Sequence, residues 1–167
     1  MKKLYIRSYT IFLDTNNILY SNQFGFRKKH STVHAVSKFI DDVTQGLEDK
    51  KSSLAVFLDL SKAFDTIDLD ILISKLHFYG VRGCALDWFK SYLYNRKQFV
   101  SYKDHNSSTR SVECGVPQGS VLGPLLFIIY TNDLPNAIHK SNAILFADDT
   151  TMYLTGENIT TYEQLSK

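Results

Sequence analysis

The stretch Ala143-Ile144-Leu145-Phe146-Ala147-Asp148-Asp149-Thr150-Thr151-Met152-Tyr153-Leu154 decides the fold. Ala143 to Ala147 is short and apolar, and Thr150 to Leu154 is rich in residues that suit a pleated, half-buried surface. Between them stand two aspartates, whose short polar side chains tolerate the backbone of tight turns. The stretch reads as a β-hairpin with Asp148 and Asp149 at its tip. Taken alone, an Asp-Asp pair has a plain alternative, a solvated turn.

A second acid stands in the same kind of place. Leu54, Ala55, Val56, Phe57 and Leu58 form a continuous apolar run, too short for a typical helix. Ser53 to Leu60 therefore reads as a central strand buried on both faces, with Asp59 where the apolar run stops. If this strand and the hairpin share a sheet, Asp59, Asp148 and Asp149 converge at one edge. Two carboxylates about 4 Å apart repel by roughly 4 kcal/mol at an effective dielectric near 20. A fold keeps such a cluster when something offsets it. Mg²⁺ is the natural candidate, because it takes oxygen ligands and shares them with substrate phosphates. Two such ions suit an in-line phosphoryl transfer, one at the attacking hydroxyl and one at the leaving pyrophosphate.

Around these strands the periods are helical. Val33, Val36, Ile40, Val43 and Leu47 mark residues 32–49 as an amphipathic helix, with Ser31 or Thr32 as its cap. Leu69 to Tyr79 is a helix stopped by Gly80, and a second helix carries Leu86, Trp88, Phe89, Tyr92 and Leu93. Gln98 to Tyr102 and Thr109 to Cys114 read as strands joined by a loop over Asp104 to Ser108. Gly115 to Gly119 is a loop, and Leu125 to Tyr130 a helix with Pro124 in its first turn. Strands and helices mixed without regular βαβ alternation give an α+β fold.

Composition narrows the class. With 44% hydrophobic residues over 167, the chain can bury one sizeable core. No apolar run approaches the roughly 18 residues of a membrane span, and Met1 to Arg7 is not followed by the apolar core of a signal peptide. Cys84 and Cys114 suit a reducing compartment better than a disulfide framework. The net charge of +2 does not announce a nucleic-acid binder. Its distribution says more. One basic zone holds Lys2, Lys3, Arg7, Arg27, Lys28 and Lys29, and another holds Lys90, Arg96, Lys97, Lys103 and Arg110. Such zones line a phosphate backbone or are plain solvated surface.

Four segments in order resemble the reverse transcriptase family, and more narrowly its non-LTR (LINE-type) retrotransposon members. Asn22 to Arg27 with Ser31-Thr32 is similar to the family's fingers motif, and Phe57 to Asp65 to its motif A. Gly115 to Pro124 is similar to motif B, and Phe146-Ala147-Asp148-Asp149 to motif C. Tyr79 to Gly83, with Trp88-Phe89 and Ser91 to Leu93, adds a LINE flavour, and by resemblance it favours that group over the alternative, a group II intron or other cellular reverse transcriptase.

The resemblance implies a right-hand polymerase. Fingers would span about residues 1–52 and palm about 53–167 with interleaved fingers elements, built on a central antiparallel sheet packed on helices. It implies an RNA-directed DNA polymerase with two Mg²⁺ ions, Mn²⁺ as a substitute, an RNA template, a DNA primer and deoxynucleoside triphosphates, in an intracellular setting. Asp59, Asp148 and Asp149 would be the catalytic metal ligands. Phe64, five residues after Asp59, would be the ring that excludes a 2′-hydroxyl; its plain alternative is a core ring. Gln118 would support the nucleotide or templating base, with Gly115, Pro117 and Gly119 shaping its loop, and Leu60 would also be a nucleotide-binding residue. Arg27 would contact triphosphate or template, where a guanidinium suits phosphate; its alternative is a solvated loop arginine. Lys62 and Asp65 would support the site or be structural.

The resemblance also implies segments not found here, namely a thumb, a primer grip and an endonuclease of a longer polyprotein. The expectation is a weakly active or inactive fragment. The competing expectations are a nucleic-acid-binding remnant without catalysis and an unused product of a decayed element.

Overall fold

The structure is a computed structural model, and it describes residues 2–138 and 141–157, with side chains from residue 8. Met1 and the side chains of Lys2, Lys3 and Arg7, counted in the first basic zone, lie outside the described residues. So do residues 139–140 and 158–167 of the span assigned to the palm. In chain order the elements are α1 (Lys2–Thr15), α2 (Thr32–Glu48), β1 (Ser52–Leu58), α3 (Leu69–Phe78), α4 (Cys84–Leu93), β2 (Arg96–Gln98), β3 (Ser101–Tyr102), β4 (His105–Asn106), β5 (Arg110–Val112), α5 (Gly123–Tyr130), a 3₁₀ turn (Leu134–Ala137), β6 (Asn142–Phe146) and β7 (Asp149–Gly156). They form two compact units, Met1–Ser61 with Thr131–Lys167, and Lys62–Tyr130. The α+β class is as expected.

The first unit is built on a three-stranded antiparallel sheet in the order β1-β7-β6. This corrects one expectation. The apolar run Leu54 to Leu58 is an edge strand, and β7 is the central one. Leu54, Val56, Phe57 and Leu58 are all exposed, Phe57 at 70%. An unbroken apolar run does not distinguish a doubly covered strand from an edge strand whose second face stays open.

Helix α2 packs on one face of this sheet, capped by the Ser31 hydroxyl, which accepts from the His34 N–H. Its apolar stripe is not the packed face: Val33, Val36, Ile40 and Leu47 are exposed. Ala35, Phe39, Asp42 and Gly46 make the contact instead. Ala35 meets Ile144 and Tyr153, and the Phe39 ring stands edge-on to Tyr153 at 5.3 Å. Gly46 permits the close approach, since a Cβ there would lie 2.5 Å from Thr155 Cγ2. The Tyr153 hydroxyl, on a side chain 2% exposed, donates to Asp42, which also holds Lys38 at 2.6 Å.

That bond has a measurable consequence. Burial pushes the Asp42 carboxyl up, but the bonds from Lys38 and Tyr153 outweigh it and hold the group below its ordinary 3.8. Because the folded value is the lower one, the stabilisation is present above pH 3.8 and is lost as pH falls through the folded value. Tyr153→Phe is expected to cost about 2 kcal/mol near neutral pH, the usual worth of a bond to a charged group. It should also shrink the acid-induced loss. Urea denaturation at several pH values between 3 and 7 checks both points.

In the second unit the Asp68 carboxylate caps α3 by accepting from the Ile71 N–H, and Gly80, at φ 97°, ends that stretch. Helix α5 is apolar on every side and buried from Leu125 to Ile129, with Leu126 and Ile129 fully enclosed. It packs on α3, whose Leu72 and Leu76 are fully buried. The expected hairpin forms differently. Two short ladders, β2 with β5 and β3 with β4, replace two continuous strands. The turn falls at Lys103-Asp104, with Lys103 at φ 52°, and His105–Asn106 is strand rather than loop. No helix among the described residues is long and apolar enough to cross a membrane.

Candidate active site

The last rung of the β6–β7 hairpin pairs Phe146 with Asp149. The turn is therefore Ala147-Asp148, and Asp149 already belongs to β7, where the sequence placed both acids at the tip. Two-residue hairpin turns need a positive φ at one or both central residues to match the strand twist. Ala147 supplies it at φ 57°, a conformation that its Cβ disfavours. Two features hold it there. Its N–H donates to Gln23 Oε1 at 3.2 Å. Gly25 lies backbone to backbone against it, so that a Cβ on Gly25 would stand 2.1 Å from the Ala147 nitrogen.

Asp59 follows Leu58, whose partner across the sheet is Thr150. Continued by one residue, the register sets Asp59 opposite Asp149. The three aspartates thus stand at one end of one sheet, Asp59 and Asp149 exposed and Asp148 half-buried. They do not form a closed triad: among the described residues, no group of three His, Cys, Asp or Glu side chains is gathered to hold a metal. Carboxylates at facing register positions still fit Mg²⁺, which keeps several waters and draws its remaining ligands from substrate phosphates. Leu60, beyond them, is 38% exposed.

The other expected residues belong to the second unit. The Phe64 ring is half-buried and stacked on Phe127, centroids 4.6 Å apart. Its backbone carbonyl accepts from the Val116 N–H at 2.8 Å, and the Ile67 carbonyl accepts from the Gly115 N–H at 2.7 Å. These two bonds staple the Gly115–Gly119 loop to the segment after Asp59. Gln118 Nε2 adds a third tie, donating to Asp65 Oδ1 at 3.0 Å. Pro117 is half-buried, and its carbonyl accepts from the Ser120 N–H at 3.3 Å. The Ser120 hydroxyl accepts from Gly123, the first residue of α5, at 2.9 Å. Gly119, at φ 71°, faces open space.

Two arginines of the basic zones are engaged inside the protein. Arg27, its side chain 16% exposed, donates to the carbonyls of Tyr20 at 3.0 Å and Gln23 at 3.3 Å and faces Asp14 at 3.7 Å. Arg96 donates to the carbonyls of Leu93, Cys114 and Gly115. Both anchor loops. Nothing in the local sequence assigns Gln23 a role; the structure makes it a contact of the aspartate turn.

The sequence profile described as "Reverse transcriptase (RNA-dependent DNA polymerase)" matches residues 3–165. The chain belongs to the reverse transcriptase family. Its relatives are non-LTR retrotransposon polymerases. It is 43% identical over 145 residues to a probable RNA-directed DNA polymerase from transposon BS of Drosophila melanogaster, covering 79% of this chain and 15% of that protein. The X-element polymerase of the same fly is 33% identical over 147 residues, 82% of this chain and 15% of that protein. The polymerase of its mobile element jockey is 28% identical over 166 residues, 95% and 18%. The reverse transcriptase segment thus spans under a fifth of the length of these relatives. Among solved structures, the telomerase of Candida albicans in complex with a fragment of telomeric RNA superposes with a TM-score of 0.69 at 13% identity, over 94% of this chain and 31% of that one. An apo telomerase of Candida tropicalis gives 0.65 at 13%, over 95% and 35%. At that identity the likeness speaks for the fold, an α+β arrangement shared with telomerase reverse transcriptases.

Proposed function

We propose that this chain carries the nucleotidyl-transfer centre of a retrotransposon's RNA-directed DNA polymerase, with fingers over about residues 1–52 and palm from about 53 onward. The observation that carries the reading is the register that continues Asp59 to a position facing Asp149, beside the turn holding Asp148, in a chain of this family. Asp59, Asp148 and Asp149 would hold two Mg²⁺ ions. When bound, such ions activate the primer hydroxyl and offset the charge of the leaving pyrophosphate. The chain's own contribution is positional. The strands fix the carboxylates at the sheet end, and the Gln23 contact fixes the turn. The Phe64 ring, backed by Phe127, presents a wall that a 2′-hydroxyl meets and a deoxyribose does not. Gln118, tied to Asp65, steadies the loop that would support the base pair. RNA template, DNA primer and deoxynucleoside triphosphates are the proposed partners.

The test is primer extension on an RNA template with Mg²⁺, by this chain alone and by the BS transposon polymerase with this chain in place of its matching segment. Deoxynucleotide incorporation by the chimera is expected. A folded chimera that binds primer–template and incorporates nothing would sink the proposal.

Phe64→Val supplies a narrower check. Removing the ring is expected to raise ribonucleotide incorporation relative to deoxynucleotide by about 10²-fold, the scale on which a pocket rejects an added hydroxyl. Single-nucleotide insertion of CTP against dCTP measures the ratio. An unchanged ratio would mark Phe64 as a packing residue only.

A further inference from the structure

Gln23 is 2% exposed, an unusual burial for a glutamine. Its Oε1 accepts from two backbone N–H groups, Gly25 at 2.8 Å and Ala147 at 3.2 Å. Those two donors settle the orientation of the amide, since only its oxygen can accept from them. The segment around it is laid along the outer edge of β6. Phe24 N–H donates to the Leu145 carbonyl at 2.8 Å, Leu145 N–H donates to the Asn22 carbonyl at 2.9 Å, and Gln23 bridges Leu145 in parallel. Backbone pairing therefore ends at Leu145, and the Gln23 side chain reaches on to the turn beyond it. There it meets the N–H of Ala147, the residue held at φ 57° immediately before Asp148.

A turn with alanine in the left-handed conformation has an easier alternative, because that Cβ is relieved if φ relaxes to a negative value. Any such relaxation would re-aim Asp148 and the first residue of β7, Asp149. A buried acceptor on the Ala147 N–H opposes it. We propose that Gln23 is a positioning residue for the aspartate pair, setting the direction of Asp148 and Asp149 through the Ala147 peptide rather than by touching substrate or metal. The proposal rests on the reading of those aspartates as metal ligands.

The experiment compares wild-type chain with Gln23→Met, which keeps length and removes the acceptor, and Gln23→Glu, which restores an acceptor. Amide exchange by NMR and Mn²⁺ binding by electron paramagnetic resonance are read on the full chain. In Gln23→Met the Ala147 and Gly25 amides should exchange at least about 10-fold faster, with the α5 amides unmoved. Mn²⁺ affinity should fall by about 10-fold, the usual effect of losing a group that orients a ligand. Gln23→Glu should recover the protection of Ala147. Unchanged exchange in Gln23→Met overturns the proposal. So does faster exchange with Mn²⁺ affinity equal to wild type, which would make Gln23 a structural tie alone. A wild-type chain with a protected Ala147 amide that binds no Mn²⁺ removes the metal reading itself, and the positioning role with it. Should Gln23→Met fail to fold, Gln23→Asn, one methylene short of Ala147, carries the same outcomes.

Discussion

Asp148→Asn is expected to lower Mg²⁺-dependent primer extension by at least about 10³-fold without disturbing the fold. The size follows from the proposed role. A metal ligand at a phosphoryl-transfer centre contributes several kcal/mol of charge stabilisation, and each 1.36 kcal/mol is a factor of ten in rate. The fold should survive for a local reason. Asp148 is half-buried in a two-residue turn, and asparagine matches its shape and is favoured in turns. Steady-state extension by the chimera described above, with circular dichroism on the same preparation, separates the two effects. Extension equal to wild type would remove Asp148 from the metal site.

Gly115→Ala is expected to destabilise the Lys62–Tyr130 unit by about 3 kcal/mol or more, because two penalties add. Gly115 sits at φ 77°, where an L side chain is strained. A Cβ there would also stand 2.7 Å from Asp65 Cα and 2.8 Å from the carbonyl oxygens of Asp65 and Phe64. These are backbone atoms, which cannot swing aside as a side-chain end would; the Phe64 oxygen is already held by the Val116 N–H and the Asp65 peptide by the bond from its N–H to the Lys62 carbonyl. Gly119→Ala is the matched control. Gly119 has nearly the same backbone angle, φ 71°, but nothing within 4 Å, so only the conformational penalty of about 1 kcal/mol applies. Urea denaturation of the two variants side by side gives the difference. Equal losses would show that the contact with Asp65 and Phe64 does not constrain the loop. Because the clash falls on the backbone of Phe64, Gly115→Ala should also blunt discrimination against ribonucleotides.

The parts of this protein legible in its sequence are those set by short-range physics. Hydrophobic period, a cap and a glycine stop located α2 and α3 to within a residue, and period alone marked Leu86 to Leu93 as part of α4. The apolar run before two aspartates located the β6–β7 hairpin, and the order of motifs located the family. Local signals failed where the answer lay in a neighbour. The stripe Val33, Val36, Ile40 and Leu47 has helical period, yet α2 turns Ala35, Phe39, Asp42 and Gly46 to the sheet. Asp42 and Gly46 look wrong for a packed face until Tyr153 is found bonded to one and Thr155 beside the other. Helix α1 is not announced by the charges of its first residues, Lys2, Lys3 and Arg7.

By itself, then, the sequence determined which residues stand at the ends of strands, and hence that Asp59, Asp148 and Asp149 are the acids to watch. Side-chain period and turn chemistry are properties of consecutive residues, so no partner is needed to read them. Only the tertiary structure decided that β1 is an edge strand, that the turn is Ala147-Asp148, and that Gln23 holds it. Strand order and a hydrogen bond between residues 23 and 147 depend on chain segments far apart in sequence, and no local pattern encodes the distance between them.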